Sequence, residues 1–191
     1  MASVDNLNDL FLETLKDVYY AEKKILKALP KMAKALGKES ELAMAFEKHR
    51  QETEGQVQRL EEVFAIFGTK PKGKTCDAIE GLVKEADGLM KESGCDCAMA
   101  AGLLAGAQAV EHYEIARYGA LAAWARLLGH EDAAELLEET LEEEKQTDAL
   151  LTRMAEDSIN QEALDAMDAA DDEEEEEEDM PRQRTSRRHA A

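Results

Sequence analysis

The stretch VYYAEKKILKAL, residues 18–29, decides how this chain folds. Val18, Ile25 and Leu29 continue a series that runs back through Leu15, Phe11 and Leu7 and forward through Met32 and Leu36. Spacings of three and four alternate along it, the mark of one helical face turned to a core. Gly37 supplies the positive-φ residue that commonly closes a helix. Pro30 removes one backbone hydrogen bond, and because the stripe stays in register beyond it, a kink is expected rather than a break. One position in the middle of the stripe is wrong for a core: Glu22 is its only charge.

The pattern repeats outward. Leu42, Phe46, Leu60, Val63 and Phe67 form a second stripe that ends at Gly68, and the short connection makes the first two helices antiparallel neighbours. TKPKGK reads as a turn segment, after which Thr75 is positioned to cap a shorter helix through Ile79, Leu82, Val83, Leu89 and Met90. Asp96 is the expected cap of a long helix carrying Leu103, Ala107, Val110, Tyr118, Leu121, Ala125 and Leu128, closed by Gly129. A fourth carries Ala134, Leu137, Leu141, Leu151 and Ala155, and Ser158 with Gln161 reads as a capping box for a last short helix to about Met167. Two long hairpins joined by a crossover with its own short helix make an all-α, ferritin-like four-helix bundle, because plain up-down bundles use short loops throughout.

Each stripe is interrupted once, near its middle. On the second helix the interruption is His49, Glu52 or Thr53, and Gln56; on the third it is Glu111 and Glu114; on the fourth, Glu144 and Asp148. Glu22 and Glu52 lie 15 residues either side of Gly37, and Glu114 and Glu144 lie 15 either side of Gly129. At about 1.5 Å of rise per residue, all four share one level of the bundle. The two hairpins also align at an offset of 92, which pairs Glu22 with Glu114, Gly37 with Gly129 and Glu52 with Glu144.

Ionised carboxylates converging in a dry core cost several kcal/mol each unless something neutralises them. Protons would serve, and so would buried lysines, but no lysine falls on these stripes near that level. A pair of divalent cations satisfies the charge directly, with Glu22, Glu52, Glu114 and Glu144 as oxygen donors, His49 as a nitrogen donor, and Glu111 or Asp148 as further oxygens. The bland reading sends each acid to solvent at a stripe edge and makes His49 a hydrogen-bonded core residue. Tyr118 and Trp124 are read as packing residues, although Tyr118 lies one turn from Glu114.

Composition limits the partners. The 191 residues carry a formal net charge of −20. The nine consecutive acids Asp171–Asp179, with Arg182, Arg184, Arg187 and Arg188, account for −5 of it, leaving −15 on the rest. Such acidity repels nucleic acid and anionic membranes and attracts cations, though it also serves solubility alone. No run reaches the roughly 18 apolar residues that span a bilayer. The N-terminus lacks a basic stretch followed by an apolar run, and Cys76, Cys95 and Cys97 form no paired motif, which fits reduced thiols and a cytoplasmic protein. One domain over residues 1–168 is expected, followed by a disordered tail, acidic and then Arg-rich, over 169–191.

VYYAEKKIL at 18–26 with Leu29-Pro30, HRQET at 49–53 with VQRL at 57–60, AVEHYEIA at 109–116 with Tyr118-Gly119, and LEEEKQTD at 141–148 resemble the YciE/YciF family of bacterial ferritin-like stress proteins. The resemblance covers about residues 4 to 165, all four helices in order. It implies a rubrerythrin-related bundle, usually dimeric, with a di-iron or similar site. In one respect the chain departs from ferritin-like enzymes, which carry Glu-x-x-His on the second and fourth helices. Here Gly55 stands three residues after Glu52, and Thr147 three after Glu144.

Three functions fit. A di-iron or di-manganese oxidase or peroxidase would reduce peroxide or dioxygen, with an external electron donor since no rubredoxin-like Cys pairs are present. An iron-storage cage would oxidise iron at the same centre. A non-catalytic metal-binding or structural stress protein would act as a homodimer.

Overall fold

The computed structural model describes residues 4–167, so the expected tail at 169–191 lies outside the described residues. Among the described residues five α-helices follow one another: α1 (Leu7–Leu36), α2 (Glu41–Ile66), α3 (Asp77–Glu92), α4 (Asp96–Leu127) and α5 (Glu131–Met154). α1 packs on α2, α4 on α5, and the two hairpins meet through α1 on α4 and α2 on α5. The four long helices form the all-α bundle with one long crossover, and α3 lies in that crossover against α1 and α4. Among the described residues, no helix is long and apolar enough to cross a membrane.

Local chemistry sets the ends. Asn6 accepts from the Asp9 amide at 2.9 Å and opens α1, and Ser40 accepts from Ala43 to open α2. Gly37, Gly68 and Gly129 adopt φ of 84°, 65° and 82°, values that an L side chain disfavours. α1 runs through Pro30 without interruption.

Three expected caps fall elsewhere. Cys76, not Thr75, caps α3, its Sγ accepting from the Ile79 amide at 3.5 Å. Cys95 occupies the cap position of α4, and Asp96 is the first helical residue. The C-terminal helical segment, 160–167, does not start at a Ser158 capping box. It continues from α5 through a π turn, Ala155–Ile159, that contains Ser158, because Ala155 and Ile159 stay buried across the turn and keep the helix on the bundle.

The crossover is anchored where α3 begins. Tyr113 of α4 donates to Asp17 Oδ2 of α1 at 2.5 Å, and its oxygen lies 3.1 Å from Cys76 Sγ. With the tyrosine proton committed to Asp17, the thiol donates to the tyrosine oxygen, so one relay ties α1, α3 and α4.

The apolar interior falls into two clusters. One joins Ile25, Leu29 and Met32 of α1 to Leu42, Phe46, Ile79, Leu103, Leu104 and Leu151. The other joins Phe11, Leu15 and Val18 to Leu60, Val63, Phe64, Leu121, Ala125 and Leu137.

Candidate metal centre

Between those clusters the core is polar. Glu22 of α1, His49, Thr53 and Gln56 of α2, Glu111 and Glu114 of α4, and Thr140 and Glu144 of α5 are all buried, Glu22 and Glu144 at 0% exposure. On α2 the buried positions 42, 46, 49, 53, 56, 60 and 63 alternate in steps of four and three, so His49 points inward by the same geometry that buries Phe46 and Leu60. Glu111 and Glu114 are three apart and share a face of α4.

One ligand atom each from His49, Glu111, Glu114 and Glu144 fall within 4.8 Å of one another. His49 Nε2 stands 3.3 Å from Glu111 Oε1 and 4.0 Å from Glu144 Oε2. Glu22 joins from α1, its Oε1 accepting a hydrogen bond from the Tyr118 hydroxyl. Glu22 Oε2, His49 Nε2, Glu111 Oε2 and both carboxylate oxygens of Glu114 and Glu144 are buried without a hydrogen-bond partner. Among the described residues only Gln56 Oε1 shares that condition. An unpartnered buried polar atom costs about 1–3 kcal/mol, more when charged, so their concentration in one layer calls for a cationic partner.

The donor chemistry fits a metal. Four carboxylates and one imidazole make the mixed oxygen and nitrogen set that suits iron or manganese. The protonation behaviour agrees. Burial raises Glu22 to about 7, with the charge of Glu111 adding to it and the Tyr118 hydrogen bond and His49 opposing. Burial likewise raises Glu111, and it lifts Glu114 and Glu144 well above the carboxylate range together with the charges of their neighbours. Burial disfavours charge on His49, but Glu111, Glu52 and Glu22 outweigh it and raise the imidazole.

Two sequence candidates sit apart from the cluster. Glu52 is 29% exposed, ion-pairs with Lys48 at 2.8 Å, and reaches back to 3.8 Å from His49 Nδ1. The His49 imidazole beside it, and then Lys48, push its carboxyl down to about 2. With Thr147 Oγ1 at 3.4 Å from the same nitrogen, it flanks the ring edge opposite the cluster, where a partner orients a ligating histidine. Asp148 is 23% exposed, 3.2 Å from His112 Nε2, and accepts from Gln108 at 3.3 Å, turned to the α4–α5 seam.

Sequence reasoning read Tyr118 as packing. The available signal was its position, four residues after Glu114 on the inward face. It also missed a network beside the layer, in which Gln56 and Arg59 of α2 donate to Glu143 of α5 and Arg59 Nε donates to Thr140 at 3.0 Å.

Two approaches reach the cluster. A cavity of about 410 Å³ between α2 and α5 has His49 and Glu111 in its lining, with Lys48, Glu52 and Arg153. A smaller apolar one of about 30 Å³, lined by Ile25, Met32, Val83 and Val110, reaches the same two residues from beneath α3.

This constellation can be set beside known proteins. The pattern of the family described as a domain of unknown function, DUF892, matches residues 6–164. The chain belongs to the DUF892 family. It is 43% identical over 162 residues to Protein YciF of Escherichia coli (strain K12), spanning 84% of this chain and 97% of that protein. The crystal structure of the E. coli stress protein YciF matches this DUF892 chain with a TM-score of 0.78 at 43% identity, over 82% of this chain and 99% of that one. YcfI of Rhodopseudomonas palustris matches with 0.75 at 45% identity, over 80% and 98%. A Xanthomonas campestris pv. campestris protein at 20% identity, TM-score 0.67, shares the DUF892 fold alone, over 85% and 99%.

Proposed function

We propose that this YciF-like protein binds two divalent cations in its buried polar layer and acts in stress as a peroxide- or dioxygen-dependent redox protein. The observation that carries the reading is the set of buried, unpartnered carboxylate oxygens on Glu22, Glu111, Glu114 and Glu144 in the same layer as the unpartnered His49 Nε2. Those five residues are the proposed ligands.

Iron or manganese, when bound, supplies the change of oxidation state that peroxide or dioxygen reduction requires. The chain does the rest. Tyr118 holds Glu22 Oε1, leaving Oε2 directed to the layer. Glu52 and Thr147 orient the His49 ring, so that Nε2 is offered inward. The two apolar clusters above and below exclude bulk water, which strengthens every charge interaction inside. The opening between α2 and α5 admits small polar molecules to His49 and Glu111. Electrons come from a separate donor.

Metal analysis of protein purified without chelator, followed by a peroxide-consumption assay with an added chemical reductant as electron donor, tests the reading. Roughly two metals per chain and peroxide loss that chelation abolishes are expected. A metal-free protein that neither takes up Fe(II) or Mn(II) nor consumes peroxide overturns it.

A further inference from the structure

On a chain of net charge −20, α1 presents a basic groove. Lys23, Lys24, Lys27 and Lys31 line it with Tyr19 and Tyr20, and among the described residues no carboxylate does. Its volume is about 470 Å³. Lys23, Lys27 and Lys31 follow at intervals of four and make one row along the helix. Lys24 pairs with Glu80 at 2.7 Å, and Lys23 sits 4.9 Å from the Tyr19 ring centroid. Lys27 and Lys31 are exposed and have no ion-pair partner among the described residues. Like charges held together in this way repel one another and attract a polyanion.

The chain carries its own polyanion. We propose that the run Asp171–Asp179 docks, within the same chain, on the lysine groove of α1. Charge selects the place. The chain before the acidic and Arg-rich tail, at −15, repels nine consecutive acids, so this lysine row is where they find a matching surface on the bundle.

Reach permits it. The described chain ends at residue 167, beyond Ile159, which is buried in the same apolar cluster as Ala28 and Val83, two residues that line the groove. Twelve residues, 168–179, extend to about 40 Å, more than the width of a small domain. The row from Lys23 to Lys31 spans only about 12 Å. Single exposed pairs contribute little, but a row of lysines meeting a row of carboxylates acts as a network and is sensitive to salt. Docked there, the run competes with any other polyanion for the groove.

Zero-length carbodiimide crosslinking of the full-length chain, as an equal mixture of unlabelled and isotope-labelled protein, tests this by mass spectrometry. Amide bonds from Lys23, Lys27 or Lys31 to Glu173–Glu178, within one isotope class, are expected. Crosslinks from the run to other lysines, crosslinks that mix the isotopes, or no crosslinks from the run overturn the proposal. The second measurement uses Lys27→Glu/Lys31→Glu, two exposed sites whose substitution leaves packing intact. A Glu-specific protease should cut the run at least about 5-fold faster in that variant, and wild type in 0.5 M salt should match it. Equal cleavage in variant and wild type at low salt overturns the proposal as well.

Discussion

Tyr118 on α4 donates its hydroxyl proton to Glu22 on α1, joining two residues 96 positions apart inside the buried layer. The bond fixes which Glu22 oxygen faces the cluster and links the two hairpins at their polar level. Tyr118→Phe keeps the ring and deletes the bond. Loss of about 1–3 kcal/mol is expected in metal-free denaturant unfolding. Affinity for Mn(II) should fall roughly 10-fold by titration calorimetry. If neither quantity moves, the tyrosine serves packing alone.

Glu144 is fully buried with both oxygens unpartnered, so its charge weighs against folding when no cation is present. Glu144→Gln removes the charge at nearly constant shape. The metal-free variant should melt above wild type at pH 8, by about 2–4 °C for each kcal/mol relieved. It should also lose most of the stabilisation that saturating Mn(II) gives wild type, which is about 2.7 kcal/mol at a hundredfold excess over Kd. A variant that melts lower without metal and retains the full metal response would contradict the assignment of Glu144 as a ligand.

The folded pKa of Glu22 is about 7, and those of Glu111, Glu114 and Glu144 are also raised. The folded chain therefore binds more protons than the unfolded one between the unfolded carboxyl pKa, near 4.3, and about 7. Stability from Glu22 is complete below that window and is lost as pH rises through it, by up to about 1.4 kcal/mol per pH unit, and the raised Glu111, Glu114 and Glu144 lose stability in the same direction as pH rises. His49, also raised, acts in the same direction. Metal-free protein should melt higher at pH 5.5 than at pH 8, and metal-loaded protein should reverse the order because cations displace protons. A metal-free melting temperature that climbs with pH would rule this out.

Asp148 and His49 separate the centre from its surroundings. Asp148→Asn leaves the Gln108 contact possible and should retain roughly two metals per chain, whereas His49→Ala should lower occupancy. Inductively coupled plasma analysis of the two variants decides it, and equal loss in both would enlarge the ligand set to include the α4–α5 seam.

Backbone freedom gives an opposite pair of signs. Gly129 sits at φ 82°, so Gly129→Ala should cost about 1–2 kcal/mol. Gly88 lies within α3 with open space where a Cβ would stand, so Gly88→Ala should gain about 0.5–1 kcal/mol. Thermal melts at one pH measure both, and equal signs would refute the account.

Much of the bundle was legible because its stripes are long and its closing glycines have one geometry. The polar layer was legible for Glu22, Glu111, Glu114 and Glu144, which lie where apolar residues are due. On α2 the aligned hairpins favoured Glu52, the partner of Glu144 at an offset of 92, yet the buried face runs through His49, Thr53 and Gln56. Packing of Phe46 and Leu60 sets the rotation of α2, and that rotation is a property of the assembled core. Asp148 keeps the three-and-four spacing that leads on to buried Leu151, but its contacts with His112 and Gln108 of α4 hold the carboxylate at the α4–α5 seam. The Cys76 and Cys95 cap positions were illegible because cysteine is a weak acceptor and carries little capping signal.

The separation of the apolar interior into two clusters has a thermodynamic consequence. Each half-core takes parts of all four long helices, and the layer between them is cohesive only when its charge is balanced. Cations bound at that level would act as a rivet between two folding units. With the rivet in place the molecule should open to hydrogen exchange as one cooperative body, and without it each end should exchange at its own rate.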